Sequence, residues 1–506
     1  MTVGSKRSVS VTTDPCDNSD HFVFNADVMR YHDNLLSSSE PVQGVGEETL
    51  APLMTSCAFT KGSHPSQEKK TAHQFGLLAR VIEGSPSVVI EDPRVFYNIT
   101  PPSSTFICGS QGSGKSHTLS CILESCLIPS KAGQLPNPLT GIVFHYDTFI
   151  SDTMGSPCEA AFLSSHPDIE VRVLCAPTNL HAIKGAYSRL NLAVSALEID
   201  QRNLNTKRML DLMAVGQDDG PMPLYMHTVK RILREMRMEQ QAAHTGFDYR
   251  TFKNKVLDSN LTPAQLEPLK QRLEMLESFM PQLQTLPISG KNKAASEGID
   301  WKPKARRLTV VDLSCPCISP ETACSLFNIC LGIFLEQDPE IGRVVALDEA
   351  HKYMNSSLEA RGFTETLLSA VRLQRHLGVR MIISTQEPTV STTLLNLCST
   401  TIVHRFTSPE WLHILRKHLA GALRSPFGGS KTDNHDTEAV SQLSLFEEIV
   451  NLQVGEAILF SPSMVVEASS CDSNGKATLC RLGHGNLRVR IRQRLTLDGG
   501  KSVLSR

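Results

Sequence analysis

The chain has 506 residues, with 50 lysines and arginines against 52 aspartates and glutamates and a formal net charge of −2. Hydrophobic residues make up 40% and charged residues 20%, the balance of a soluble globular protein long enough for about three domains and a large buried core. With 31 Gly and 28 Pro it is neither collagen-like nor a wholly disordered polymer, and its near-neutral balance excludes a surface coated with nucleic-acid-binding charge, though not a local basic channel.

Residues 1–70 are rich in Ser, Thr, Pro and Asp and show little periodicity, so they read as a disordered tail with no secretory h-region at its start. From 71 to 180 the pattern tightens. Phe75–Val81 and Ser87–Ile90 read as two strands around a Gly-Ser-Pro turn, followed by strand-length apolar runs at Thr105–Cys108, Gly141–His145 and Val171–Cys175. Residues 181–305 read as a helical insertion ending in a Lys-, Ser- and Gly-rich linker. Strands return at Leu308–Asp312, Val344–Leu347 and Val379–Ser384 within a second core segment, 306–465. Helical stretches between most strands predict an α/β fold, a mainly parallel sheet covered by helices on both faces. Residues 423–436 read as a long loop, and 466–506 as a C-terminal β segment.

The longest apolar stretch, Ala323–Leu335, is broken by Ser325 and Asn328 and is too short to span a bilayer. The expectation is an intracellular, soluble protein without membrane contact, in cytoplasm or nucleus. The 14 cysteines include Cys315-Pro-Cys317, which lacks the second pair a zinc ribbon needs, so reduced thiols are expected.

Gly109-Ser110-Gln111-Gly112-Ser113-Gly114-Lys115-Ser116 fits G-x-x-x-x-G-K-[ST] without departure. It follows the apolar run ending at Cys108 and precedes a helical pattern with Leu119, Ile122, Leu123, Cys126 and Leu127 on one face, starting near His117. Strand, glycine turn and helix are what phosphate binding needs: backbone amides point at the oxygens from the positive end of the helix. Lys115 would reach the outer phosphates of ATP, and the Ser116 hydroxyl would join a Mg²⁺ shell. His117 completes the candidate nucleotide-binding set.

A second apolar strand ends in Asp348-Glu349, two carboxylates that are costly at such a place unless a cation sits there. Asp348 would hold Mg²⁺ through water, and Glu349 would orient and deprotonate the attacking water. A third strand runs into Ser384-Thr385-Gln386, where a neutral amide can hold water or sense a γ-phosphate. An ordinary polar strand end accounts for Gln386 equally well.

Arg488, Arg490, Arg492 and Arg494 alternate with period two, so a strand there would line four guanidiniums on one face. That face suits phosphates, of nucleic acid or of a neighbour's nucleotide, and equally suits a charged edge strand that resists aggregation. The basic run Lys230–Arg237 is more simply a solvated helix face, and no aromatic interleaving suggests base stacking.

Together the loop at 109–116, the strand Leu308–Ser314, the segment Asp348–Tyr353, the run Arg375–Pro388, Thr401–Phe406 and the closing Val454–Phe460 resemble the HerA/FtsK superfamily of P-loop ATPases, RecA-like motors that pump DNA or peptides. The resemblance implies that Lys115 and Ser116 bind nucleotide and Mg²⁺, that Asp348 and Glu349 serve hydrolysis, and that Gln386 is a sensor. It also suggests Arg375, or more weakly Arg405, as an arginine finger acting on a neighbouring subunit. That implies a homo-oligomer such as a hexameric ring, with nucleic acid as a candidate cargo. A solvated helix end is the plainer account of Arg375. Two departures bear on cargo: little sequence precedes the loop, and the insertion is long. A nucleotide-gated signalling switch, or an assembly ATPase without nucleic-acid cargo, is the alternative. Asp348-Glu-Ala-His351 does not mark a DEAH-box helicase, because neither a Ser-Ala-Thr motif nor a Gln-Arg-x-Gly-Arg stretch follows.

Overall fold

In the computed structural model, the described residues are 50–56, 73–83, 92–148, 155–213, 224–285, 298–338, 340–419, 445–468 and 479–499. One 16-stranded sheet runs through them. Its strands are β1 Leu53–Thr55, β2 Phe75–Glu83, β3 Arg94–Asn98, β4 Ser104–Cys108, β5 Gly133–Gln134, β6 Thr140–His145, β7 Glu170–Cys175 and β8 Ala193–Ala196. They continue as β9 Arg307–Asp312, β10 Arg343–Leu347, β11 Val379–Thr385, β12 Thr400–Val403, β13 Glu456–Phe460, β14 Val465–Ala468, β15 Leu479–Arg481 and β16 Leu487–Ile491.

The order is β15-β14-β1-β3-β2-β16-β13-β12-β4-β11-β10-β6-β9-β7-β8, with β5 paired to β2. From β12 to β8 every neighbouring pair is parallel. From β12 back to β3 and β1 the pairs are antiparallel. The expected α/β class, a mainly parallel sheet covered by helices, is therefore present, with an antiparallel extension of the same sheet. The central strands are buried on both faces, which is why they read as near-continuous apolar runs. Alternate residues feed two cores. Phe106, Phe144, Leu347 and Ile383 face one, and Ile107, Val143, Ala346 and Ile382 face the other with the helix Lys115–Leu127.

The span 181–305 differs from expectation in two ways. It contains β8, which extends the parallel sheet beyond β7, so it is not helical throughout. Its helices also share the first core rather than forming a separate lobe: Met209, Val229, Phe252 and Leu273 are buried with Phe144 and Phe327. Arg208 pairs with Glu336 at 2.7 Å, and Arg272 approaches Glu359 at 3.6 Å, fixing these helices to those flanking β10. Within the tail assigned to 1–70, Leu53–Thr55 forms β1 against β3; residues 1–49 and 57–72 lie outside the described residues. The strand read at Ser87–Ile90 and the loop at 423–436 also lie outside them. β3 was not read from sequence, although Asp92-Pro93 before it and Pro101-Pro102 after it bracket its aromatic, β-branched run. Ala323–Leu335 lies in the helix Pro320–Leu335, packed into the first core, and no described helix is long and apolar enough to cross a membrane. The described cysteines are free, with Cys315 buried and Cys317 exposed.

The arginine stripe is neither a phosphate-facing surface nor an edge strand. β16 lies between β2 and β13 and holds only Arg488 and Arg490, Arg492 and Arg494 lying just beyond it, and each of the four meets a carboxylate. Arg488 and Arg490 both bind Glu456, at 2.9 and 2.7 Å. Arg492 donates to Glu124 at 2.7 Å, and Arg494 to Glu159 at 3.1 Å. Glu124 belongs to the helix that follows the glycine loop, is fully buried, and also accepts from the amides of Leu495 and Thr496 and from the Thr496 hydroxyl. The alternation was read correctly; what it faces depends on acids far away in sequence. Removing one member of so buried a pair leaves the other charge uncompensated. Arg492→Ala is expected to cost about 3–5 kcal/mol, read as a lowered denaturant midpoint at unchanged m-value. An unchanged midpoint would show that Glu124 is held by the backbone amides alone.

Candidate nucleotide site

The site assembles at the C-terminal edge of the parallel strands, where ligands of open α/β sheets bind. β4 leads into the glycine loop, β11 lies beside it and ends before Gln386, and β10 comes next and ends at Asp348-Glu349. The sheet order thus places the three motifs side by side.

The loop needs glycine at two positions for demonstrable reasons. Gly109 has φ +152° and a side chain there would stand 2.7 Å from the His404 Cβ. Gly114 has φ +110° and would face the Gly455 amide at 3.3 Å. Both conformations disfavour any L side chain. The loop is further tied down by Ser110, whose amide and hydroxyl both donate to the Arg405 carbonyl at 2.8 Å. Ser113 is buried and donates to the Ser110 carbonyl, while Gln111 and Gly112 are exposed at the loop's open side. Ser116 is half-buried in the first turn of the helix.

Lys115 is buried, and its ammonium donates to the Ser110 carbonyl at 3.1 Å. The same ammonium stands 3.9 Å from Glu349 Oε1, so two motifs remote in sequence meet. Burial lowers the Lys115 pKa, and the charges of Glu349 and Asp348 only partly restore it. Burial, with the neighbouring Asp348, raises Glu349 against the opposing pull of Lys115 and Lys352. Asp348 also loses hydration, but His145 and Cys158 beside it outweigh that and hold its carboxyl below the usual range. Asp348 Oδ1 and Glu349 Oε2 are buried with no hydrogen-bond partner among the described residues.

Glu349 adopts φ 48°, ψ 47°, a left-handed conformation for a residue with a side chain. Such a backbone costs of order 1–3 kcal/mol and persists only when its surroundings enforce it. The strain turns the chain sharply after β10, so that Glu349 points toward Lys115 while Asp348 stays under the sheet edge. His351, in the following 3₁₀ turn, lies 3.3 Å from Glu349 Oε2 and accepts from the Gln386 amide through Nδ1 at 3.4 Å. Burial and the nearby Lys352 and Lys115 push its pKa down to about 4, so it is a neutral acceptor. Gln386 is half-buried beside this contact.

The remaining expected residues lie differently. His117 Nε2 faces the Arg492 carbonyl at 2.8 Å, so its ring is engaged with the C-terminal segment rather than the loop's open side. Arg375 is exposed in the short helix before β11, at the opposite edge of the sheet from its own glycine loop. β11 has 7 residues, so it separates the two by about 20 Å. Arg405 has the reverse setting: it is exposed, and its backbone borders its own loop. Sequence reasoning missed His145, Cys158 and His404 as parts of this region. His404 was quoted within Thr401–Phe406 but given no role, because its partners Thr118 and Glu456 are distant in sequence.

No family model matches this chain, and no curated protein matches it in sequence. Among solved structures it is similar to VirB4 of Thermoanaerobacter pseudethanolicus, at 12% identity and a TM-score of 0.40, covering 84% of this chain and 98% of that one. It is also similar to the bacterial conjugative coupling protein TrwB lacking its first 70 residues, at 12% identity and TM-score 0.38, covering 87% and 99%. The genome packaging NTPase B204 of Sulfolobus turreted icosahedral virus 2, in complex with ATP-gammaS, matches at 13% identity and TM-score 0.20 over 34% of this chain and 66% of that one. All three likenesses are distant. The fold stands on the strand order and the loop geometry themselves.

His404 is fully buried between loop and sheet. Its Nδ1–H donates to the Glu456 carbonyl at 2.8 Å, which leaves Nε2 to accept from the Thr118 hydroxyl at 2.9 Å. Burial pushes its pKa down to about 4, below the ordinary 6.5. The unfolded chain therefore takes up a proton between those values that the folded chain refuses. The contribution is full above pH 6.5 and is lost as pH falls toward 4. His404→Gln should flatten the stability-versus-pH curve, removing about 2 kcal/mol of the loss between about pH 7 and pH 5. Thermal melts of both proteins at the two pH values check this; parallel curves would show that His404 titrates normally.

Proposed function

We propose that this chain is a Mg²⁺-dependent ATPase of the P-loop class, binding ATP on Gly109–Ser116 and hydrolysing it with Asp348 and Glu349. The observation that carries the reading is the 3.9 Å approach of Lys115 to Glu349, which joins a phosphate-binding turn to a pair of buried carboxylates. The residues fit both ligands. Asp348 Oδ1 is buried and unpartnered among the described residues, as an oxygen awaiting a cation shell would be, and a Cβ at Gly112 would meet nothing within 4 Å, so the loop is open there.

The glycine-loop amides and Lys115 would hold the phosphates, and Ser116 with Asp348 would hold the metal. A bound Mg²⁺ would neutralise charge developing on the phosphate oxygens. Lys115 would exchange its bond to the Ser110 carbonyl for the nucleotide. Glu349, its pKa raised by burial and by Asp348, is suited to take a proton from the attacking water near neutral pH. The neutral His351 lies between Glu349 and the Gln386 strand end, its Nδ1 accepting from the Gln386 amide, so it offers Glu349 no competing proton. Glu349→Gln is expected to lower turnover by 10²–10⁴-fold while leaving ATP binding intact, and Lys115→Ala to lose binding. Turnover and calorimetric ATP binding check both; normal turnover in Glu349→Gln would remove Glu349 from the reaction.

We further propose that the active form is a ring of identical subunits, with Arg375 reaching a neighbour's nucleotide. The supporting observation is placement: Arg375 is exposed and about 20 Å from its own loop, which suits a role at another chain's site rather than its own. A DNA translocase is the motor form of this reading. The pairing of the stripe arginines with carboxylates supports the alternative, an assembly ATPase without nucleic-acid cargo, although Arg490 stays exposed. Mixing Arg375→Ala with Lys115→Ala subunits should restore about a quarter or less of wild-type turnover when sites are shared, from inactive parents. Additive behaviour of the two parents would contradict action in trans, and stimulation by double-stranded DNA that fades with salt would restore the translocase.

A further inference from the structure

We propose that His145, Cys158 and Asp348 form a binding site for a borderline-soft divalent cation of the Zn²⁺ class, distinct in chemistry from the Mg²⁺ shell. All three side chains are buried, with exposures of 6%, 0% and 2%. One nitrogen, one sulfur and one carboxylate oxygen from them lie within 4.8 Å of one another. His145 Nδ1 is 3.3 Å from Asp348 Oδ2, and Cys158 Sγ is 3.6 Å from the same oxygen. Donors at 2.0–2.3 Å around a tetrahedral metal stand about 3.3–3.8 Å apart, so two of the three edges already match.

A second observation points to a ligand. Neither ring nitrogen of His145 makes an aligned hydrogen bond among the described residues, and Asp348 Oδ1 has no partner there. Unsatisfied buried polar atoms are costly, and one cation would satisfy a His145 ring nitrogen and the Asp348 carboxylate together, the other ring nitrogen pointing away from it. The donor set decides which. A nitrogen–sulfur–oxygen triad suits Zn²⁺ and its neighbours, whereas Mg²⁺ takes oxygen ligands.

The scaffold is rigid enough to hold it. His145 ends β6 and Asp348 follows β10, and these strands are paired in register through Phe144 and Leu347. Cys158 is pinned from behind, its amide donating to the Tyr187 hydroxyl, which itself donates to Asp312. Such outer contacts fix ligand direction in metal sites. On binding, the Cys158 thiol proton leaves to solvent and the sulfur bonds the metal, with a fourth position open to water.

The site shares Asp348 with the proposed ATPase centre, so its occupancy acts as a brake: an aspartate bound to a soft cation cannot also serve the Mg²⁺ shell. That consequence rests on the ATPase reading, whereas the site itself does not. The full chain, stripped of metal and without nucleotide, is titrated with Co²⁺. One Co²⁺ per chain with a thiolate-to-metal absorption band is expected, lost in Cys158→Ser and displaced by Zn²⁺. Zn²⁺ affinity should fall about tenfold or more in His145→Gln. A band that persists in Cys158→Ser, or equal Zn²⁺ affinity in all three proteins, overturns the site. Independently of any variant, X-ray absorption of Zn²⁺-loaded wild type should show one sulfur among nitrogen and oxygen donors; two or more sulfurs, or none, overturns it. If Zn²⁺ binds there without slowing Mg²⁺-ATP turnover, the brake is refuted. A chain that binds Zn²⁺ but never hydrolyses ATP refutes the ATPase reading instead.

Discussion

Two carboxylates and one ammonium are taken out of water at the edge of a parallel sheet, and much of the molecule serves to keep them there. Lys115 follows β4 while Asp348 and Glu349 share the end of β10, and the buried Lys115 and Asp348 would each be costly without an opposite charge nearby. Their mutual charges offset part of the desolvation, but the balance is incomplete. Lys115 is held below its ordinary pKa and Glu349 above its own. A polyphosphate and a cation, as proposed above, would each supply charge that burial has removed and so offset this residual cost. The strand order does the remaining work, since only β11 lies between the strand that carries the lysine and the strand that carries the acids.

Local strain and local packing meet at the same point. Glu349 is held left-handed, and the glycines at 109 and 114 are held where a side chain would collide with His404 or the Gly455 backbone. These are separate features of the sequence, yet they describe one object: a turn pressed between β12, the start of β13 and the helix Lys115–Leu127. His404 is the spacer in that contact, neutral and hydrogen-bonded on both ring nitrogens. A charged ring there would sit close to Lys115, and that charge is among the reasons its pKa is low. The neutral histidines 351 and 404 therefore flank the cationic Lys115 without adding to its charge.

How much of this is legible in sequence depends on range. The glycine loop, the strands β4, β6, β7, β9, β10 and β11 and the acidic strand end are local patterns, and local patterns survive in the sequence because the backbone itself requires them. β1 and β8 are short and are defined by what they pair with, so nothing within them announces a strand. The helices of 206–285 were recognisable as helices, but their membership of the main core was not, since it rests on facing partners such as Phe327 and Glu359. His145 and Cys158 were invisible as a pair with Asp348 for the same reason. Their proximity follows from β6 lying against β10, which is a property of the sheet order.

The arginine stripe shows how a correct periodicity can lead to the wrong surface. Period two does put the four guanidiniums on a common side, and an unpaired row of that kind would indeed suit phosphate. What the sequence conceals is that Glu124, Glu159 and Glu456 converge on it from a helix, a 3₁₀ turn and the adjoining strand β13. Glu124 is the informative member, because it sits on the buried face of the helix that begins with Lys115. Through it, the C-terminal segment grips the helix that follows the glycine loop, and the His117 ring adds a second contact two residues from Lys115. The C-terminal segment around Arg492–Thr496 is thus joined to the helix that follows the glycine loop by a buried ion pair rather than by solvent-exposed loops.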